Sequence, residues 1–146
     1  MNDIEKLLAI EEIKSLKGRY CRAVDTKDWE LWRTCFVPEI VIETFDFDTK
    51  FRSEGFDALI ENCKKLLAGS RTVHQVHNPE ITVLSDTEAK GIWALHDVLK
   101  WSKPNMFGLV SMIGYGNYNE KYRKTKDGWR IVESIITRYY MEQEKG

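Results

Sequence analysis

Apolar side chains recur at helical intervals along the amino-terminal segment, at Ile4, Leu7, Leu8, Ile13, Leu16, Tyr20 and Val24. Asn2 and Glu5 ahead of this run have the spacing of a capping box, in which each side chain satisfies the other residue's backbone N–H. The pattern predicts a long first helix that ends around Asp25–Asp28. Asp28 then caps a short second helix carrying Trp29, Leu31, Trp32 and Phe36, with Pro38 as its stop. Beyond Pro38 the period changes. Ile40 to Phe45 is rich in β-branched residues, and Phe51 to Ser53 returns after the polar turn Asp46–Lys50, which predicts a hairpin. Phe56, Leu59, Ile60, Cys63 and Leu67 share one helical face, and Gly69 stands where a helix end favours a left-handed residue.

From Arg71 onward the pattern is that of a sheet, with four long runs: Arg71–Leu84, Glu88–Trp101, Met106–Lys124 and Trp129–Tyr140. A turn at Lys126–Gly128 joins the last two. Long strands combined with amino-terminal helices predict an α+β fold, a cone-shaped curved mixed sheet wrapped around the helices with an internal pocket, built as one domain over residues 1–146. In the run 88–101 one face carries Trp93, Leu95, Asp97, Leu99 and Trp101, and the other Ile92, Ala94, His96 and Val98. A sheet with helices on one side only should be polar outside. An apolar outer face therefore predicts a second copy of the chain packed against it, hence a homo-oligomer.

Composition narrows the function. With 22 Lys+Arg against 23 Asp+Glu, the chain has no basic field for nucleic acid. No apolar run approaches the roughly 20 residues of a spanning helix, so no membrane partner is expected. Cys21, Cys35 and Cys63 match no metal or disulfide spacing, and Met1–Lys6 lacks the pattern of a secretion signal, which together predict a cytoplasmic protein. The aromatic content is high, at five Trp, six Tyr and six Phe, so that rings could line a pocket as well as fill a core.

His74 and Asp97 are polar residues inside apolar strands, and each needs a partner if buried. The natural expectation pairs them with each other. A carboxylate on one imidazole nitrogen fixes the tautomer and raises the basicity of the other, giving a proton-transfer group; the same pair could also be a satisfied element of the core. His74 and His77 point to opposite faces of a strand, so no metal site is expected. Tyr20 and Asp25 lie about 140° apart on an ideal helix and would face one cavity only if the helix unwound near Asp25. Arg138 sits near the end of the last run between Ile136 and Tyr140, and could equally lie at the surface.

The order of elements, with the segments Ile13–Tyr20, His74–Ile81 and Gly91–Asp97, resembles the SnoaL-like branch of the nuclear transport factor 2-like (cystatin-like α+β barrel) superfamily, and within it the bile-acid 7-alpha-dehydratases. The resemblance runs from about Ile4 to Tyr140 and lapses at Thr44–Ser70 and Ser102–Gly108. It implies Tyr20, Asp25, His74 and Asp97 as catalytic residues and Arg138 as a substrate-binding residue; Trp93 and Trp101, which share a strand face with Asp97, are expected to bind substrate as part of an apolar wall. The implied activity is a cofactor-independent dehydratase for a hydrophobic, polycyclic or steroid-like hydroxy-carbonyl compound. A ketosteroid-isomerase-like proton transfer and a noncatalytic binding module of the same fold are the alternatives, and a trimer is expected before a dimer.

Overall fold

The computed structural model describes residues 1–46 and 49–146. Helix α1, Asp3–Thr26, begins at the expected capping box, with the Asn2 side chain accepting from the Glu5 N–H and Glu5 accepting from the Asn2 N–H. Such a cap stabilises a helix by about 1 kcal/mol. The buried face of α1 holds Ile13, Leu16, Tyr20 and Val24, and also Lys17. The helix closes at Lys27, which takes a left-handed conformation (φ 58°, ψ 27°) and donates its N–H to the Ala23 and Val24 carbonyls. Helix α2, Trp29–Arg33, starts where Asp28 accepts from the Leu31 N–H.

Phe36 and Pro38 depart from expectation, since both belong to strand β1, Phe36–Asp46, and not to or after a helix. Pro38 lies where the pairing of β1 with its neighbour slips, between Phe36 and Val41. A residue without an N–H is tolerated at such an irregularity. Strand β2, Thr49–Glu54, pairs antiparallel with β1, giving the expected hairpin; positions 47 and 48 of its turn lie outside the described residues. Helix α3, Phe56–Leu66, packs on β1 and β2, and Gly69 beyond it is left-handed, as the pattern predicts.

Strands β3 (Ser70–Val83), β4 (Glu88–Trp101), β5 (Leu109–Thr125) and β6 (Gly128–Lys145) form antiparallel neighbours. One sheet of order β2-β1-β6-β5-β4-β3 results, mixed because β1 runs parallel to β6. The sheet does not close on itself, so β2 and β3 remain its edges. Helix α1 lies against β3 and β6 on the concave face. Between helix and sheet sits an aromatic cluster: Tyr20 lies 5.6 Å from Trp32, 5.8 Å from Phe36 and 6.0 Å from Tyr118, measured between ring centroids. The Phe36 and Tyr118 rings meet Tyr20 edge-on, and such pairs add to the stabilisation from burial.

The two faces of β4 separate as the pattern predicts. Trp93, Leu95, Asp97, Leu99 and Trp101 are buried, whereas Ile92, Ala94, His96 and Val98 face outward and are only partly covered. Outward-facing apolar groups continue across the sheet with Val73 at 49% exposure, Ile92 at 41% and Tyr115 at 43%. Tyr115 stacks on His96 with centroids 4.5 Å apart. No helix among the described residues is long and apolar enough to cross a membrane.

Candidate active site

His74 and Asp97 are opposed in the β3–β4 register, as their strand pattern suggests, yet no hydrogen bond joins them. The imidazole turns instead toward α1. Its Nδ1 lies 2.7 Å from Asp25 Oδ1, and the His74 backbone N–H donates to Asp25 Oδ2 at 2.9 Å. The Thr72 hydroxyl, two residues earlier on the same strand face, donates to Asp25 Oδ1 at 2.9 Å. The correction has a simple physical origin: α1 remains helical through Thr26, and this carries Asp25 across the concave face to β3. The helix does not unwind: Tyr20 faces the aromatic cluster and Asp25 faces β3, both where α1 lies on the concave side of the sheet.

The arrangement fixes the tautomer. A carboxylate only accepts, so the Nδ1 facing it carries the proton, and a neutral ring leaves Nε2 as a lone-pair base. Nε2 has no hydrogen-bond partner among the described residues. The His74 side chain retains 11% exposure and Asp25 22%, so the pair is sheltered without being sealed.

Asp97 is fully buried and pairs with Arg138, whose Nη2 lies 2.5 Å from Asp97 Oδ2 and whose Nη1 lies 2.9 Å from Asp46 Oδ1. Burial opposes the charge on Arg138, but the Asp97 and then the Asp46 carboxylates overcome it and hold the guanidinium protonated. Asp97 Oδ1 and Arg138 Nε remain buried without a partner, which leaves one acceptor and one donor at this end of the site. The cluster depends on Gly114, the register partner of Asp97: a Cβ there would collide with Asp97 Oδ1 and stand 2.8 Å from Arg138 Nε.

Tyr20 is buried in the aromatic cluster, and burial drives its phenol pKa well up, as it does for Tyr118. Both phenols therefore keep their protons and are hydrogen-bond donors. The Asp97 carboxylate is the next contributor to the Tyr118 shift, so Tyr118 belongs to the same neighbourhood. Trp93 and Trp101 are buried in the core with their indole N–H groups engaged, Trp93 with the Tyr122 hydroxyl at 2.8 Å and Trp101 with the Leu66 carbonyl at 2.9 Å. All three cysteines are free thiols; burial pushes Cys21 up to about 11 and Cys63 up to about 12, far from nucleophilic thiolate at neutral pH.

A second polar network lies beneath the aromatic cluster. Lys17 and Glu120, both fully covered, form a 2.6 Å ion pair, and Glu120 also accepts from Ser134 at 3.0 Å and Tyr122 at 2.6 Å. The Lys17 ammonium stands 3.5 Å from the Tyr118 ring centroid and 4.1 Å from that of Tyr20. Sequence reasoning passed over this pair and over Thr72, Tyr118 and Asp46. A signal existed for the pair, since Lys17 interrupts the apolar stripe of α1 and Glu120 sits between inward-facing Tyr118 and Tyr122. Two surface clefts, one beside Arg33, Pro38 and Phe56 and the other beside Leu8, Arg19 and Arg130, include none of the expected site residues.

An unclosed mixed sheet with helix α1 on its concave face thus carries the Asp25–His74 pair and the buried Asp97–Arg138 pair on that face. The chain belongs to the SnoaL-like domain family, which residues 5–135 match. It is similar to the probable cyclase FGR4 of Gibberella zeae, at 26% identity over 88% of this chain and 89% of that protein. Among solved structures it is similar to a provisionally assigned scytalone dehydratase from Novosphingobium aromaticivorans, with a TM-score of 0.85 at 18% identity over 99% of this chain and 93% of that one. It is also similar to a type 2 hexachlorocyclohexane dehydrochlorinase, with a TM-score of 0.82 at 14% identity over 99% and 95% of the two chains. The two structural likenesses establish the fold.

Proposed function

We propose that the protein is a cofactor-independent dehydratase acting on a hydrophobic, polycyclic or steroid-like hydroxy-carbonyl compound. The observation that carries this reading is the Asp25–His74 pair, with Nδ1 held by the carboxylate and Nε2 unpartnered. Nε2 takes a proton from the carbon next to the substrate carbonyl, and the electron pair passes into an enolate. The enolate then forms the new carbon–carbon double bond as the neighbouring C–O bond breaks, and the imidazolium returns its proton to the departing hydroxyl, which leaves as water. No electrons are exchanged with an external group.

Tyr20, protonated because it is buried, donates to the carbonyl oxygen as charge develops. Arg138, held in place by Asp97 and Asp46, anchors a substrate oxygen at the opposite end. Trp93 and Trp101 contribute ring faces to the apolar wall. Two fold neighbours carry names that denote elimination, of water in one case and of hydrogen chloride in the other, which supports an elimination here. The resemblance of Ile13–Tyr20, His74–Ile81 and Gly91–Asp97 to the bile-acid 7-alpha-dehydratases supports a polycyclic substrate. The partly uncovered outer face around Val73, Ile92 and Tyr115 supports a homo-oligomer, and the resemblance to the dehydratases favours a trimer over a dimer.

Incubation with a panel of cyclic and steroid hydroxy-ketones, read by mass spectrometry, tests the reaction. The expected product has lost one water, and His74→Ala abolishes its formation. Full turnover by His74→Ala would overturn the mechanism, and a product of unchanged mass would identify an isomerase.

A further inference from the structure

Lys27 touches none of the groups assigned to substrate, yet it is tied to them through one hydroxyl. Its Nζ donates to Thr72 Oγ1 at 2.9 Å, and Thr72 Oγ1 donates in turn to Asp25 Oδ1 at 2.9 Å. We propose that Lys27 is a positioning residue, which through the Thr72 hydroxyl fixes the Asp25 carboxylate against His74. The proposal rests on the reading of His74 as the group that moves the proton.

The direction of the chain follows from donor counting. An ammonium has only donors and a hydroxyl has a single proton, so Lys27 obliges Thr72 to accept from it and to spend that proton on Asp25. Without the ammonium the Thr72 hydroxyl is free to rotate toward another acceptor. Asp25 Oδ1 would then lose one of its two donors and with it the geometry that aims the carboxylate at Nδ1. The backbone supports the same conclusion. Lys27 is left-handed at φ 58°, a conformation natural to glycine, and its side chain is carried from that position into a partly buried site. Burial lowers its pKa, while Asp25 works to keep it charged. A surface lysine capping a helix would show neither the inward reach nor the desolvation.

Removing either the Lys27 ammonium or the Thr72 hydroxyl therefore frees the Asp25 carboxylate to turn from Nδ1, and with it relaxes the tautomer that Asp25 imposes on His74.

The test is long-range proton–nitrogen NMR of the neutral His74 imidazole in the full chain, which reads the proton on Nδ1 and needs no substrate. Lys27→Gly deletes the ammonium while relieving the left-handed backbone, and Lys27→Asn, which tolerates that backbone, repeats the comparison should the glycine variant unfold. Both should melt near or above the wild-type temperature and show a mixture of tautomers in place of the single Nδ1-protonated form. Thr72→Val should do the same, and Thr72→Ser, which restores the hydroxyl, should keep the wild-type tautomer. A tautomer that is unchanged in the folded Lys27 variants overturns the proposal. Full turnover by His74→Ala would overturn the functional reading instead, whatever the tautomer, so the two failures are separable.

Discussion

At the scale of single residues, the partner of His74 is the point on which chemistry turns. Strand register places Asp97 opposite His74, and sequence patterning correctly put both on the inner face of their strands. It could not show which carboxylate the ring meets, because that is decided by how α1 lies across β3, and spacing within one element carries no information about a helix crossing a sheet. Asp25 was visible as a candidate, whereas its tie to Thr72 and His74 was not. Asp25→Asn should leave the fold intact and reduce turnover by about 10²- to 10⁴-fold, the range for a mispositioned general base, as measured by steady-state kinetics on whichever compound the screen identifies. Asp97→Asn should behave differently. It leaves a buried guanidinium with part of its charge partner removed, and denaturant unfolding should show a loss approaching the roughly 3–5 kcal/mol of a broken buried pair.

At the scale of elements, helix and strand identities were legible because capping residues and hydrophobic period act locally, as Asn2, Asp28 and Gly69 illustrate. Phe36 and Pro38 were misread because a proline after an apolar run signals a helix stop, whereas here a slipped parallel pairing gives it a place inside β1. The contacts between elements had only faint signals. Lys17 of α1 and Glu120 of β5 are the clearest case: a buried pair that joins helix to sheet across 103 residues of chain. Lys17→Met should destabilise by about 3–5 kcal/mol in urea unfolding, since it strands a buried carboxylate, and adding Glu120→Leu should recover much of that loss. Gly114→Ala should also weaken the fold, because its methyl would occupy the space of Asp97 and Arg138, and Gly114→Ser should be no better.

For the whole molecule, the near-neutral charge fits the apolar substrate proposed above, and much of the high aromatic content is core, where Tyr20, Trp32, Phe36 and Tyr118 are buried together with Trp93 and Trp101. Burial keeps protons on Cys21, Cys63, Tyr20, Tyr118 and Tyr122 that the unfolded chain would release from about pH 9 upward. Groups whose folded pKa is raised contribute stability below their unfolded pKa and lose it as pH rises, so the melting temperature followed by circular dichroism should fall with increasing steepness between about pH 9 and 11. Sedimentation should show an oligomer, and Tyr115→Lys on the outer sheet face should dissociate it. Whether Asp25 readies His74 as a base can be read from long-range proton–nitrogen NMR of the neutral imidazole. The expected spectrum has a proton on Nδ1 and a bare Nε2 in the wild type, a tautomer that Asp25→Asn disturbs and Asp97→Asn does not. A proton on Nε2, or a tautomer governed by Asp97, would overturn that role for Asp25.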